Sequence, residues 1–380
     1  MKIFFKANEL LHCLSAVVNT SESSHDDYSF CHIAFTSANE SETCNVSFTT
    51  TSQDATSKAQ MVTKCHHFSE TDIFLNTKDF FNVIRKLEKN AEISLEIIME
   101  NNTKIALIKS LKAKFKMQCP ENVPTSYFQV KDLSDCQEVI LSRNELLESI
   151  NSIKFAIFKD PTRFNINGML LQGVSNVGIK LCATNGQVLA LKEISNNSVT
   201  NDFKVTIPKN SVSEIAKQLQ FYKNENVKIE ITKTLVRFYL ENFTFTTKVI
   251  DASFPEYERV IPNRNNDILR VHRLNFLDGV NIADSLNVDT VKINITNTEI
   301  EFISSDSSKK EGKSFLECAF DGENKNFEIF YPYIKDTLTA IKAESITLHF
   351  PCKSGTIQEP IIIRPENNLT SLYIVMPKRT

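Results

Sequence analysis

The chain has 380 residues, 41% of them apolar, a formal net charge of −3 and only eight glycines. That length allows two or three domains with separate cores, and the apolar fraction excludes a disordered chain. Scarce glycine disfavours a Gly-rich phosphate loop or a collagen-like run, and the net charge argues against coating nucleic acid over the whole surface while leaving room for a locally basic face.

In chain order, residues 2–5 read as a first strand, without the long apolar core of a signal peptide. Residues 8–18 follow as an amphipathic helix, with Leu10, Leu11, Leu14, Val17 and Val18 at helical spacing. After a polar loop over 21–27, Phe80, Phe81, Val83, Ile84 and Leu87 mark a second helix before the alternating strand 93–97. The pattern then restarts. A strand at 139–141 leads to a helix on Leu146, Ile150, Ile153 and Ile157 and a strand at 177–183. A helix on Val212, Ile215, Ala216 and Leu219 precedes strands at 227–231, 235–240 and 243–249. In the last third, 268–271 leads to a weaker helix using Leu274, Leu277, Val280, Ile282 and Leu286, where Gly279 is expected to cost stability. Strands at 291–295 and 300–303, a polar loop over 306–313, a helix on Ile334, Leu338 and Ile341 and a strand at 346–350 complete the series.

The copies recur every 120 to 130 residues or so, roughly the size of a domain and far beyond a solenoid period. The expected fold is α+β: three similar domains, each a duplicated strand-helix-strands unit, with helices segregated to one face of the sheets. The expected domains are 1–130, 131–262 and 263–380, with boundaries near Lys131 and in the polar stretch 263–266 after Pro262. No stretch reaches the ~18 to 20 apolar residues of a membrane span. The nine scattered cysteines fit reduced thiols better than a disulfide framework. The expectation is a cytoplasmic protein without a membrane partner.

Basic residues recur on the helix faces opposite the apolar stripes. They are Lys78, Arg85, Lys86 and Lys89, then Arg143, Lys154, Lys159, Lys209, Lys217 and Lys223, then Arg273, Lys335 and Lys342. Asp79, Glu88, Glu145, Glu148, Glu214, Asp278 and Asp336 share those faces, so a mixed solvated surface competes with a DNA-facing one. Enzyme motifs are missing: there is no G-x-S-x-G and neither phosphate nor dinucleotide loop. Cys65-His66-His67 lacks metal-ligand spacing, and neighbouring strand residues point to opposite faces. Asp26 and Asp27 read as solvated loop carboxylates. No cofactor, metal or catalytic residue is expected.

Four segments carry a specific resemblance. They are Arg163-Phe164-Asn165-Ile166-Asn167-Gly168-Met169, Ala183-Thr184-Asn185-Gly186-Gln187-Val188-Leu189-Ala190, Asp251-Ala252-Ser253-Phe254-Pro255-Glu256-Tyr257-Glu258-Arg259-Val260-Ile261-Pro262 and Val375-Met376-Pro377-Lys378-Arg379. In that order they resemble the R-x-x-L-N-G-M, A-T-D-G-H-R-L-A, D-G-x-F-P-D-Y-x-R-V-x-P and V-M-P-x-R of the bacterial sliding clamps, the beta subunits of DNA polymerase III. The chain departs at Asn185, Gln187 and Val188, which stand for the family's Asp, His and Arg. The first domain also lacks the family's R-x-T-L-P-I-L pattern, so no DNA contact is carried over there.

The resemblance implies a non-catalytic processivity factor: a head-to-tail homodimer closing a ring around duplex DNA, with helices lining the hole and sheets outside. Lys78, Arg85, Lys86, Arg143, Lys154, Lys159, Lys209, Lys217, Arg273, Lys335 and Lys342 would then face DNA without reading its sequence. Closure needs complementary patches, for which Ile282 and Ala283 beside Leu286 are the third-domain candidates. The replicative polymerase, the clamp loader and other clamp-motif proteins would dock in a peptide pocket between the second and third domains. Its apolar wall would be Ile166, Thr184, Gly186, Leu189, Pro255, Val260, Ile374, Val375, Met376 and Pro377. Gln187 and Val188 would join it, with Arg163 and Arg259 at the polar edge and Pro360 from the preceding strand. Val188 in place of Arg predicts a more apolar pocket. A clamp-fold scaffold that binds proteins without encircling DNA is the alternative.

Overall fold

The computed structural model describes residues 1–21, 28–38, 42–129, 133–196, 198–263, 266–305 and 310–379. The expected boundary residue Lys131, the carboxylates Asp26 and Asp27, most of the 21–27 loop, residues 264–265 and residues 306–309 lie outside it. The first elements are β1 (Lys2–Lys6), α1 (Ala7–Val17), β2 (Phe30–Ser37), β3 (Thr43–Thr51), β4 (Ala55–His66), β5 (Thr71–Asn76) and α2 (Thr77–Arg85). Next come β6 (Glu92–Glu100), β7 (Thr103–Ser110), β8 (Ala113–Gln118), β9 (Gln137–Ser142) and α3 (Arg143–Ile153). They are followed by β10 (Gly168–Val174), β11 (Gly178–Thr184), β12 (Val188–Ser195), β13 (Phe203–Pro208) and α4 (Lys209–Phe221). Then follow β14 (Asn226–Ile231), β15 (Leu235–Leu240), β16 (Phe243–Lys248), β17 (Asp267–His272), α5 (Arg273–Val280) and α6 (Ile282–Ser285). Strands β18 (Thr290–Ile295), β19 (Glu299–Ser305), β20 (Glu311–Glu317) and β21 (Lys325–Phe330) lead to α7 (Tyr331–Ala340). The last strands are β22 (Ser345–Phe350), β23 (Gly355–Thr356), β24 (Ile361–Pro365) and β25 (Ser371–Val375).

A single junction recurs six times: a strand runs straight into a helix at Lys6–Ala7, Asn76–Thr77, Ser142–Arg143, Pro208–Lys209, His272–Arg273 and Phe330–Tyr331. At each, the first helical N–H has no partner inside its own helix and donates to a carbonyl of the paired half. The bonds are Ala7 to Ala91, Thr77 to Ser29, Arg143 to Glu225, Lys209 to Asn167, Arg273 to Glu344 and Tyr331 to Asp289, at 2.7 to 3.1 Å. This reciprocity is the duplication expected from sequence, written in backbone hydrogen bonds.

The chain forms two compact units, residues 1–144 with 213–249, and 145–212 with 250–380. In the first, a twelve-stranded sheet carries the path β8-β7-β6-β1-β4-β16-β15-β14-β9, with β2, β3 and β5 branching from β4. The β4–β16 ladder, Ala59 opposite Phe243 to Ala55 opposite Thr247, joins strands from the first and second sequence thirds. Helix α1 buries Leu10, Leu14 and Val17 against this sheet's core, where Phe5, Phe35, Phe48 and Phe80 are fully enclosed.

In the second unit, an eight-stranded sheet runs β13-β10-β11-β12-β25-β24-β22-β17, beside a five-stranded sheet β20-β19-β18-β21-β23. The β12–β25 ladder, Val188 opposite Val375 to Lys192 opposite Ser371, ties the middle third to the last. Lys325, its side chain fully buried, meets Asp267 at 2.5 Å and ties β21 to β17.

Two expectations change here. Gly279 sits in α5 with the Phe302 ring where a Cβ would stand, 2.3 Å away. Glycine is therefore what lets α5 lie close on β19, and its helix-propensity cost is offset by that packing. Residues 311–313, expected in a polar loop, begin β20, where Glu311 to Glu317 alternate between exposed and half-buried on a sheet edge.

Candidate functional site

The site forms where the β12–β25 ladder brings four distant segments together within the second unit. Residues 161–166 make a short 3-10 turn, held by Phe158 N–H donating to the Ile166 carbonyl and by the Asn167 side-chain amide donating to the Phe158 carbonyl at 2.8 Å. The β11–β12 turn supplies residues 184–189. Its shape is fixed by Asn185, whose side-chain oxygen accepts from the N–H groups of Gln187 and Val188 at 2.9 and 2.8 Å. An amide oxygen does this as a carboxylate would, so Asn185 in place of Asp preserves the turn. Thr184 donates its hydroxyl to the Val188 carbonyl, and Gly186 takes φ +87°, a conformation open to glycine at little cost.

Segment 255–260 and β25 with Met376 close the cleft. Its volume is about 330 Å³, and it is lined by Arg163, Asn165, Ile166, Thr184, Gly186, Gln187, Val188, Leu189, Pro255, Glu256, Tyr257, Val260, Ile374 and Met376. Beneath lies an apolar cluster of Leu170, Cys182, Leu191, Phe254, Ile362 and Leu372. Burial, and after it the Glu258 charge, raises the Tyr257 phenol pKa, so it stays neutral, with its hydroxyl on Gln172 at 3.1 Å. Cys182 is likewise held as a neutral thiol by burial. The charged groups of the lining are Arg163, whose guanidinium lies over the Phe158 ring, and Glu256. An apolar trough with a sparse polar rim can hold a short peptide by hydrophobic anchors; it offers no paired nucleophile and base.

Most of the sequence-derived pocket residues line this cleft, and four do not. Val375 is fully buried in the ladder and Pro377 is buried beside it. Arg259 is exposed and turned to Glu256, 2.5 Å away, and half-buried Pro360 is not among the lining residues. Conversely, Asn165, Glu256 and Tyr257 line it without having been singled out. They sit inside the same matched motifs, which was the available signal. Val188 lines the cleft while 2% exposed, paired with Val375 in the β12–β25 ladder, so an apolar residue suits the position.

The basic helix positions divide into two groups. Lys78 and Arg85 are on the exposed face of α2, with Lys86 just past its end, and Lys154, Lys159, Lys217 and Lys342 are also exposed. Arg143 and Arg273 are engaged inside the fold. Arg143 donates from Nε to the Asn224 carbonyl and from Nη1 to the Leu219 carbonyl, at 2.9 and 2.7 Å. Arg273 repeats this toward Ala343 and Leu338, at 2.8 and 3.0 Å. Each guanidinium thus bridges a last-turn carbonyl of the paired helix, α4 or α7, and a carbonyl of the segment that follows it. Lys209 is half-buried at the start of α4, and Lys335 lies over the Tyr331 ring with Asp284 3.7 Å away.

Of the expected dimer patch, Ala283 is fully buried within its own chain and so has no surface to offer a second copy. Ile282 is half-buried, its side chain packed over Gly312. Among the described residues, the group with three metal-ligand atoms close together is Cys136, Glu138 and Glu230. Lys228 already sits between its carboxylates, 2.7 Å from Glu138 and 3.1 Å from Glu230. All nine cysteines are free thiols.

Six strand-helix-strands units, mostly β, with an apolar cleft at the junction of the β12–β25 ladder, define the class: an α+β fold of three similar DNA-clamp domains. Residues 140–256 match the family model of the DNA polymerase III beta subunit, central domain. The beta sliding clamp of Rickettsia bellii is 26% identical over 325 residues, covering 81% of this chain and 83% of that protein. Among solved structures, the DNA polymerase III subunit beta of Pseudomonas aeruginosa superposes with a TM-score of 0.88 at 19% identity over the whole of both chains. A sliding clamp from Bartonella birtlesii, bound to griselimycin, gives 0.87 at 23% identity, again over the whole of both chains. By sequence and by fold, the chain is a relative of the bacterial beta sliding clamps.

Proposed function

We propose that this chain is a DNA sliding clamp. It closes as a head-to-tail homodimer around duplex DNA, lacks catalytic activity and tethers the replicative polymerase, the clamp loader and other clamp-motif proteins through the cleft. The proposed domains are 1–130, 131–262 and 263–380, and the proposed location is the cytoplasm; no helix among the described residues is long and apolar enough to cross a membrane. The observation that carries the reading is the cleft: four separated motifs converge on one apolar trough.

Sheet edges support the homodimer. Among the described residues, strand β8 ends one sheet and β20 ends another, each with one unpaired edge, and exposed edges invite pairing between chains. Strand β8 carries Lys114 and Lys116, whereas β20 carries Glu311 and Glu317 with Lys313 between them, and Phe315 is 59% exposed. A β8–β20 contact between copies is heterologous and can close a ring of two. It replaces the Ile282–Ala283 patch.

Weak attraction suits such a ring. A lysine and a phosphate 10 Å apart in water attract by only about 0.4 kcal/mol, and salt screens more than half of that. Several such pairs give salt-sensitive, sequence-blind contact, while enclosure prevents escape. The test is retention on a circular plasmid with release on linearisation, alongside a dimeric solution mass. A strict monomer at micromolar concentration with no retention refutes the ring. Griselimycin, to which the Bartonella birtlesii clamp is bound, can be titrated against this chain, and competition with a peptide tests whether it enters the cleft.

One observation favours the scaffold reading. Helix α1 carries no Lys or Arg, and Arg143 and Arg273 are committed to internal carbonyls. Peptide binding without plasmid retention would select it.

A further inference from the structure

The last wall of the cleft, Met376, lies beyond the ladder that aligns it. Both pairings of β25, to β12 and to β24, have Val375 as their last residue. Past that point the backbone is held at two separate places. Met376 N–H donates to the Gln187 carbonyl at 2.9 Å, and Lys378 N–H donates to the Glu328 carbonyl at 2.7 Å. The Lys378 ammonium also reaches the Glu328 carboxylate at 2.8 Å. Glu328 stands on β21, opposite Lys292 of β18, and does not line the cleft. Burial opposes its ionisation, but hydrogen bonds from Lys378 and Thr290 and the charges of Lys378 and Lys292 outweigh it, so the carboxylate is ionised at neutral pH.

We infer that Glu328 and Lys378 are a positioning pair for the cleft. By pinning the segment after β25 to the five-stranded sheet, they fix where Met376 meets a bound peptide. The inference rests on the cleft being a peptide site. A methionine side chain is flexible and fits by adaptation, so the free energy of ordering it falls on the ligand unless the backbone beneath it is already fixed. An ion pair this exposed is modest, and its loss should weaken binding roughly two- to fivefold.

The experiment is fluorescence anisotropy with a fluorescein-labelled clamp-binding peptide carrying two hydrophobic anchors, on the full chain. The variants are Glu328→Gln, Lys378→Gln, the double variant and Lys378→Arg. Each Gln variant should weaken binding by that factor, and the double should be no worse than the weaker single, since both remove one interaction. Lys378→Arg should bind as the wild type does. The 13C-methyl NMR signal of Met376 should shift in the Gln variants without peptide, with the melting temperature held. Wild-type binding with unaltered affinity in both singles, or multiplicative losses in the double, overturns the positioning role alone. No binding by the wild type overturns the peptide-site reading and this inference with it.

Discussion

Replacing Arg273 by alanine tests whether this repeated arginine serves the fold or a ligand. The guanidinium donates to the carbonyls of Leu338 and Ala343. Leu338 is in the last turn of α7, where carbonyls lack helical partners and a cation is favoured by the helix dipole. A charged hydrogen bond contributes about 1.5 to 3 kcal/mol when buried. Arg273 is half-buried, so water recovers part of this, and the two bonds together should come to about 2 kcal/mol. Lysine keeps the charge but cannot fork to both carbonyls and should lose about half of that. For a unit of about 200 residues, each kcal/mol moves the melting temperature by roughly 2 to 4 °C. Arg273→Ala should therefore melt roughly 4 to 8 °C lower and Arg273→Lys roughly half as much, with Arg143→Ala matching the former through Leu219 and Asn224. Scanning calorimetry reads the shift, and plasmid retention is measured on the same samples below the transition. Wild-type melting with lost retention would refute the capping role and return the arginine to the phosphate.

Gly186→Ala should cost about 1 to 2 kcal/mol from backbone strain, because the new Cβ meets only Arg163 Nη1 at 3.5 Å; a thermal melt and peptide titration check it. Lys325→Ala should cost roughly 3 kcal/mol by leaving Asp267 without its buried cation, read from urea unfolding. Burial opposes ionisation of Asp267, but hydrogen bonds from Lys325 and Cys352 and the Lys325 charge hold its pKa below the ordinary value. Its contribution is therefore complete above the unfolded aspartate pKa and is lost as pH falls through the lower folded one; acid titration of Lys325→Ala should show a shallower loss than wild type. Charge reversal of exposed Lys154 and Lys217 together should leave melting unchanged and reduce the salt sensitivity of plasmid retention; an unaltered salt dependence argues against a DNA-facing role.

Local periodicity placed the main helices, strands such as β6, β14 and β22, and the tripled pattern, because burial on one face leaves a mark within a few residues; it left β2 to β5, β7, β8, β10 and β12 unmarked. The motifs around Arg163, Thr184, Pro255 and Met376 likewise marked the cleft before any geometry was known. Tertiary structure decided what those marks could not. Val375 and Pro377 are buried outside the cleft lining while Asn165 and Tyr257 belong to it, because only folding brings segments 161–166 and 255–260 against β12 and β25. Ala283 points inward and Gly279 is required by the Phe302 ring. Arg143 and Arg273 look like surface charges in sequence, yet their partners are carbonyls 65 to 81 residues further along the chain. A side chain's spacing to its neighbours records which face it occupies; what it meets there depends on chain that only folding brings near.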